Sequence, residues 1–346
     1  MHCWRELSHA PGTRTSPREP GLQRRSLRIE VHGPTIGATL GSPVHRMLTA
    51  QVILYTVLVI VNVAAIIAWI AVAKRRHLRE RATWADGVIG CVTSFLDTFG
   101  IGSYAQITAL FKLRSKPADE LIPGTLNVGS AVPSFLGSLL FFGAIAVEPV
   151  LLASMVISSG AGAWIGAGVV SRMPRRGIQL IMGVALLIAA GFFAMTAMGV
   201  LPPAGTAMGL TGWRFVIAVL ANFVFGALMC IGIGNYAPSM VLLGLLGMHP
   251  IAAYPIMIGS DGVLIPVASL GFLRSGRFAH GVAVGLTLGG LLGTLIAFPL
   301  IKTIGEHLTL MRWLVIVVIL YAAVSMLRSA RAPTQELAGA EIDLPR

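Results

Sequence analysis

Long runs without a charged residue alternate along this chain with short connections crowded with Lys and Arg. The first run, Leu48–Ala73, contains no charged residue, and Lys74, Arg75, Arg76, Arg79 and Arg81 follow it at once. A helix needs about 20 apolar residues to cross a hydrocarbon core of about 30 Å, so this run is long enough to cross with some tilt. Only 12% of the residues are charged, against about 25% in a soluble domain. So few charges could not cover the surface of a water-soluble protein of this size. An ordinary cytosolic enzyme, a disordered chain and a nucleic-acid module are thereby excluded, leaving an all-α polytopic membrane protein. The net charge of +12 sits in the connections, where it orients spans rather than binding nucleic acid. Cys91 and Cys230 lie in apolar segments and Cys3 in a polar stretch, and no CxxC pair exists, so no metal or cofactor is expected.

Residues 1–46 hold seven Arg, five Pro and no apolar run. They read as a disordered or mis-annotated tail, with Met47 as a candidate start. Residues 47–82 then form an extra transmembrane helix and a basic loop. Two short apolar pieces follow, Ala85–Phe99 and Ser103–Leu113, joined by Gly100-Ile101-Gly102. At about 1.5 Å per residue neither piece spans the core. Both ends are basic, which predicts a re-entrant hairpin entered and left from the cytoplasm. Leu121–Ile145, Pro149–Ser171 and Gly177–Met198 are full spans. The second half repeats this order: Trp213–Ile231 and Asn235–Gly247 flank Gly232-Ile233-Gly234, and Ile251–Phe272, Phe278–Ile301 and Thr309–Leu327 follow. Trp213–Ile231 is the ambiguous piece, since its length would also allow a full crossing. The basic loops place residue 80 and the C-terminus inside and residues 199–212 outside. Residues 329–346 read as a disordered cytoplasmic tail.

The halves also match in sequence. Gly100-Ile101-Gly102-Ser103-Tyr104-Ala105 recurs as Gly232-Ile233-Gly234-Asn235-Tyr236-Ala237, Val128-Gly129-Ser130 as Ile258-Gly259-Ser260, and Gly162–Gly166 as Gly289–Gly293. Any one of these is weak, but three in one order indicate a duplication. With three full spans per half, the second copy inserts upside down; if each hairpin crosses instead, the repeats are parallel. The expected architecture is therefore two inverted repeats, residues 83–199 and 213–328, each a broken-helix hairpin plus three spans. Inverted repeats with broken helices are the architecture of secondary transporters.

At Gly232-Ile233-Gly234-Asn235-Tyr236-Ala237-Pro238 the chain resembles the TauE/SafE sulfite-exporter family, also called the toluene-sulfonate uptake permeases. Val241–Gly247, His249–Ala253, Arg274-Ser275-Gly276-Arg277 and Gly289–Gly293 also resemble the family pattern, over roughly residues 85–328. Family members often carry a third glycine at the turn where this chain has Ser103 and Asn235, and a proline where it has Gln106. The resemblance implies export or uptake of sulfite, organosulfonates or related small anions across the bacterial inner membrane.

No Lys or Arg lies deep in a span, so a bound anion must be held otherwise. The two half-helices beginning near Ser103 and Asn235 would point unpaired N–H groups and partial positive charge at the tips. Gly100, Gly102, Gly232 and Gly234 would let the backbone approach, and Ser103, Tyr104, Asn235 and Tyr236 would add donors. Asn127, Ser130 and Ser260 are candidates for a pocket wall. Asp97 and Asp261 are acids in the apolar interior, where an ionised carboxylate is costly and commonly functional; they are the candidates for proton coupling. The expected partners are a small anion and the lipid bilayer, with a homodimer left open. Rival readings are an anion channel, a sodium-coupled carrier and, more remotely, an intramembrane enzyme. No H-E-x-x-H or G-x-S-x-G motif supports the last.

Overall fold

The computed structural model describes residues 43–99, 101–141, 147–200, 205–232, 234–304 and 309–331. They form eleven α-helices: α1 (Pro43–Arg75), α2 (Trp84–Thr98), α3 (Tyr104–Arg114), α4 (Ile122–Phe141), α5 (Pro149–Val170), α6 (Arg175–Ala197), α7 (Gly212–Met229), α8 (Tyr236–Leu245), α9 (Pro250–Ser275), α10 (His280–Ile304) and α11 (Thr309–Arg331). A 3-10 turn, Asp119–Leu121, leads into α4. Among the described residues the only strand-like pairing is an isolated bridge between Ala207 and Met248. The tail 1–42 and residues 332–346 lie outside the described residues, and α11 continues three residues past the expected end of the second repeat.

Among the described residues, seven helices are long and apolar enough to cross a membrane: α1, α4, α5, α6, α7, α9 and α10. Six of them, α1, α4, α5, α6, α9 and α10, are expected full spans. α7, the ambiguous piece, is the seventh, with 18 residues and a mean hydropathy of 1.7 over that window. By about 1.5 Å per residue α7 reaches about 27 Å, the border between a short crossing and a half-helix. α2, α3 and α8, at 15, 11 and 10 residues, are too short to cross.

Polar contacts sort the helix ends into two groups. Arg114 at the end of α3 pairs with Asp86 at the start of α2 at 2.6 Å. Lys112 reaches Asp119 before α4 at 2.8 Å and Ser329 near the end of α11 at 3.3 Å. Gln179 in α6 donates to Asp119 at 2.7 Å, and Arg175 pairs with Glu120 at 3.3 Å. Arg277 beyond α9 donates to the Met173 carbonyl at 2.6 Å, and Arg76 beyond α1 to the Arg274 carbonyl at 3.2 Å. These are the ends that the basic residues assign to the cytoplasm. A second group gathers elsewhere. Arg214 at the start of α7 donates to the Leu246 carbonyl beyond α8 at 3.4 Å, and the backbone of Ala207 pairs with Gly247 and His249.

Helix packing follows the duplication. α2 lies along α10 and α7 along α5, each a first helix of one copy on the fourth helix of the other. α4 packs on α9 and α6 on α11, which joins equivalent helices. The duplicated glycine pairs make the first two contacts. A Cβ at Gly289 or Gly293 would land on the backbone carbonyl of Gly87 or Cys91 in α2. One at Gly162 or Gly166 would land on that of Phe223 or Ala227 in α7. Small residues of this kind let helix backbones touch in a membrane, where no hydrophobic force separates helix from lipid. The opposite faces carry Val59, Ile67, Ile157, Leu220, Leu292 and Val317, all exposed as lipid contact requires.

The two central helices contain prolines, which break their hydrogen-bond ladders. Pro133 in α4 cannot donate to the Gly129 carbonyl four residues back. Thr287 of α10 takes over, its hydroxyl donating to that carbonyl at 2.9 Å. Buried carbonyls in a bilayer need such a substitute partner because no water competes for them.

Candidate functional site

The turns α2–α3 and α7–α8 bring the short helices to their tips. Gly102 has φ +77° and Gly232 has φ +97°, left-handed values that favour glycine. Gly234, the equivalent of Gly102, has no positive φ, so the two turns differ at that position. Gly100 and Ile233 lie outside the described residues.

Ser103 and Asn235 occupy equivalent places as the residues that start α3 and α8. Such residues commonly cap their own helix, accepting from its free N–H groups. Neither does so here. Their side chains turn to Asp97 and Asp261 instead. Ser103 lies near enough to the Asp97 carboxylate to interact with it. The Asn235 amide donates to Asp261 Oδ1 at 3.3 Å, while Ser239 fixes its orientation by donating to Asn235 Oδ1 at 2.6 Å. The first N–H groups of both half-helices are thus left without a side-chain cap beside two carboxylates.

Asp97 and Asp261 line one cavity, together with Tyr236, Thr98, Ser134 and Thr294. Pro133, Gly137, Phe141 and Ile258 complete its wall. One acid stands in the first copy and one in the second, at non-equivalent positions. Asp261 is 5% exposed, and its cavity neighbours include no Lys or Arg.

A family model described as "Sulfite exporter TauE/SafE" matches residues 8–193, more than half of the chain. The chain belongs to the TauE/SafE sulfite exporter family. The match runs through the first copy of the duplication and stops within α6. No curated protein matches the chain, and no solved structure does. As a TauE/SafE protein it is a membrane transporter.

The other candidates of this TauE/SafE chain are dispersed around the cavity rather than gathered in it. Tyr104 is 1% exposed, and its hydroxyl donates to Asn127 Oδ1 at 3.2 Å. Asn127 in turn donates to the Pro123 carbonyl at 2.8 Å, and Ser269 donates to the Asn127 carbonyl at 2.8 Å. These three tie α3, α4 and α9 together. Ser260 accepts from Asn222 at 3.0 Å, and Ser130 is buried on α4. Tyr236 is the only one of the two tip tyrosines on the cavity wall. Sequence reasoning missed Thr98, Ser134 and Thr294. A signal existed: Ser134 adjoins the helix-breaking Pro133, and Thr294 directly follows the duplicated Gly289–Gly293 stretch.

Gln106 carries a further loose end. Its amide donates to the Gly102 carbonyl, and its buried Oε1 finds no partner among the described residues. It occupies the place where the family pattern has proline.

Proposed function

We propose that this TauE/SafE protein is a proton-coupled secondary transporter of a small anion, sulfite or an organosulfonate, in a bacterial inner membrane. The observation that carries the reading is the cavity shared by Asp97 and Asp261 beside two uncapped half-helix N-termini. Free N–H groups and the helix dipole favour an anion there. Two ionised carboxylates in the same space would repel it. Protonation removes that repulsion, so an anion and a proton enter and leave together. No fixed cation is needed, because the half-helices supply the positive potential.

The inverted-repeat, re-entrant architecture belongs to the same proposal. The α2 start meets the α3 end through Arg114 and Asp86, and the α7 start meets the α8 end through Arg214 and Leu246. The first pair of ends lies with the basic group and the second does not. Both facts support hairpins entering from opposite sides. Helix packing that keeps its pattern when the copies are exchanged supports a two-fold relation between them. In a background without Cys3, Cys91 and Cys230, Met208→Cys should react with an impermeant maleimide from outside and Arg79→Cys only from inside. Labelling of position 208 from the cytoplasm alone would overturn the inverted arrangement.

The substrate site has its own test. A Cβ at Gly234 would meet no atom within 4 Å, so Gly234→Val should insert and remain folded while closing the approach to the half-helix N-terminus. Sulfite counterflow in proteoliposomes should fall by about a hundredfold, the loss of two or three backbone hydrogen bonds to an anion. Gly102→Val is the less clean variant, because its φ strains any side chain. Wild-type counterflow by Gly234→Val would move the anion site away from the tips.

A further inference from the structure

α9 carries Asp261 and, five residues on, Pro266. Pro266 has no N–H, so the carbonyl four residues back has no partner within the helix. That carbonyl belongs to Gly262, the residue directly after Asp261. α4 solves the same problem at Pro133 with Thr287, a side chain from the other copy of the duplication. In α9 the donor comes from outside the duplication. Asn62 of α1 donates its amide to the Gly262 carbonyl at 2.9 Å, and to the Leu58 carbonyl of its own helix at 2.8 Å.

The placement is built on both sides. Leu54, Leu58, Asn62 and Ala65 form the buried stripe of α1, while Val59, Val63, Ile67 and Ile70 face outward. Asn62 is 1% exposed in a helix otherwise committed to apolar contact. A polar side chain there is costly unless it is paired. Gly262 lacks the side chain that would forbid the approach, since a Cβ there would strike Leu58 and Ser138. Ser138 of α4 donates to the Ile258 carbonyl at 2.8 Å, so α9 is held from two helices around Asp261.

We propose that Asn62 is a positioning residue for transport: α1 closes the carbonyl that Pro266 opens beside Asp261, and so holds the break in α9 in its working geometry. The inference rests on the reading above that the site of transport lies along α9. It assigns the extra N-terminal helix a part in transport beyond membrane anchoring.

The test uses the full chain in proteoliposomes, with sulfite as probe and turnover counted per folded carrier. Asn62→Leu leaves the Gly262 carbonyl unpaired and should lower turnover about tenfold. Pro266→Ala restores a backbone N–H to that carbonyl, and the double variant Asn62→Leu/Pro266→Ala should recover most of the loss. Were Asn62 only an anchor for α1, adding an N–H within α9 would rescue nothing. If Asn62→Leu fails to insert, recovery of both insertion and flux in the double variant gives the same support. Asn62→Leu at wild-type turnover, or a double variant no better than Asn62→Leu, overturns the assignment. An Asp261→Asn carrier that still accumulates substrate normally would sink proton coupling at that residue, yet would leave this rescue pattern unchanged.

Discussion

Asp261→Asn should retain sulfite counterflow and lose accumulation driven by a proton gradient. Counterflow needs only binding and reorientation, whereas accumulation needs a second species that moves with the anion. One pH unit stores about 1.36 kcal/mol per proton, enough for tenfold accumulation if one proton accompanies each anion. The wild type should approach that ratio and Asp261→Asn should stay near unity. Asp97→Asn should behave likewise or more mildly, because both acids line the same cavity and each has a polar tip residue as its partner. An alkyl sulfonate is the better probe here, since its charge does not change with pH. Normal accumulation by both variants would remove these acids from the coupling step. A sodium requirement in the same assay would instead make the two carboxylates cation ligands.

The second large effect falls on stability. Gly289→Leu and Gly162→Leu should each destabilise the detergent-solubilised protein by about 3 kcal/mol, the upper end for overpacking. Even the first carbon of the new side chain would meet a backbone carbonyl of the neighbouring helix, which cannot move aside as a side-chain tip can. Gly191→Ala supplies the control. Gly191 is exposed in mid-helix with no atom within 4 Å of an added Cβ, so alanine there should be stabilising by about 1 kcal/mol or less. Thermal unfolding followed by aggregation would rank the three. Equal melting of Gly289→Leu and wild type would mean that α2 and α10 are not in backbone contact.

Hydropathy and charge alone located most of the fold. Pro149 marks the start of a span in the sequence, and it opens α5, where the Glu148 side chain accepts from the Val150 and Leu151 N–H groups. Gly100–Gly102 and Gly232–Gly234 mark breaks in the sequence pattern, and helices end and begin there. α7 resisted because 18 mostly apolar residues fit both a short crossing and a long half-helix. The site was only half legible. Asp97 and Asp261 stood out singly as acids in apolar sequence, but nothing in their spacing says that they share a cavity. That follows from the fold, in which α2 packs on α10, α10 on α4 and α4 on α9. Tyr104 and Tyr236 are equal in sequence and differ in use, because only the first has Asn127 opposite it. Asn62 was passed over: one amide in a run of aliphatic residues has little weight until the proline it serves, some 200 residues later, is set beside it.

The glycine contacts also decide which pieces can act as levers. α2 is seated backbone to backbone on α10 and α7 on α5, so each short arm of one half is clasped by the other half. A stroke that swung the N-terminal half as a block against the C-terminal half would have to tear both clasps. Any parts that slid past one another would have to be chimeric, each drawn from both halves of the chain. Separated on two polypeptides, the halves would each present an open glycine seam, and only the pair would close it.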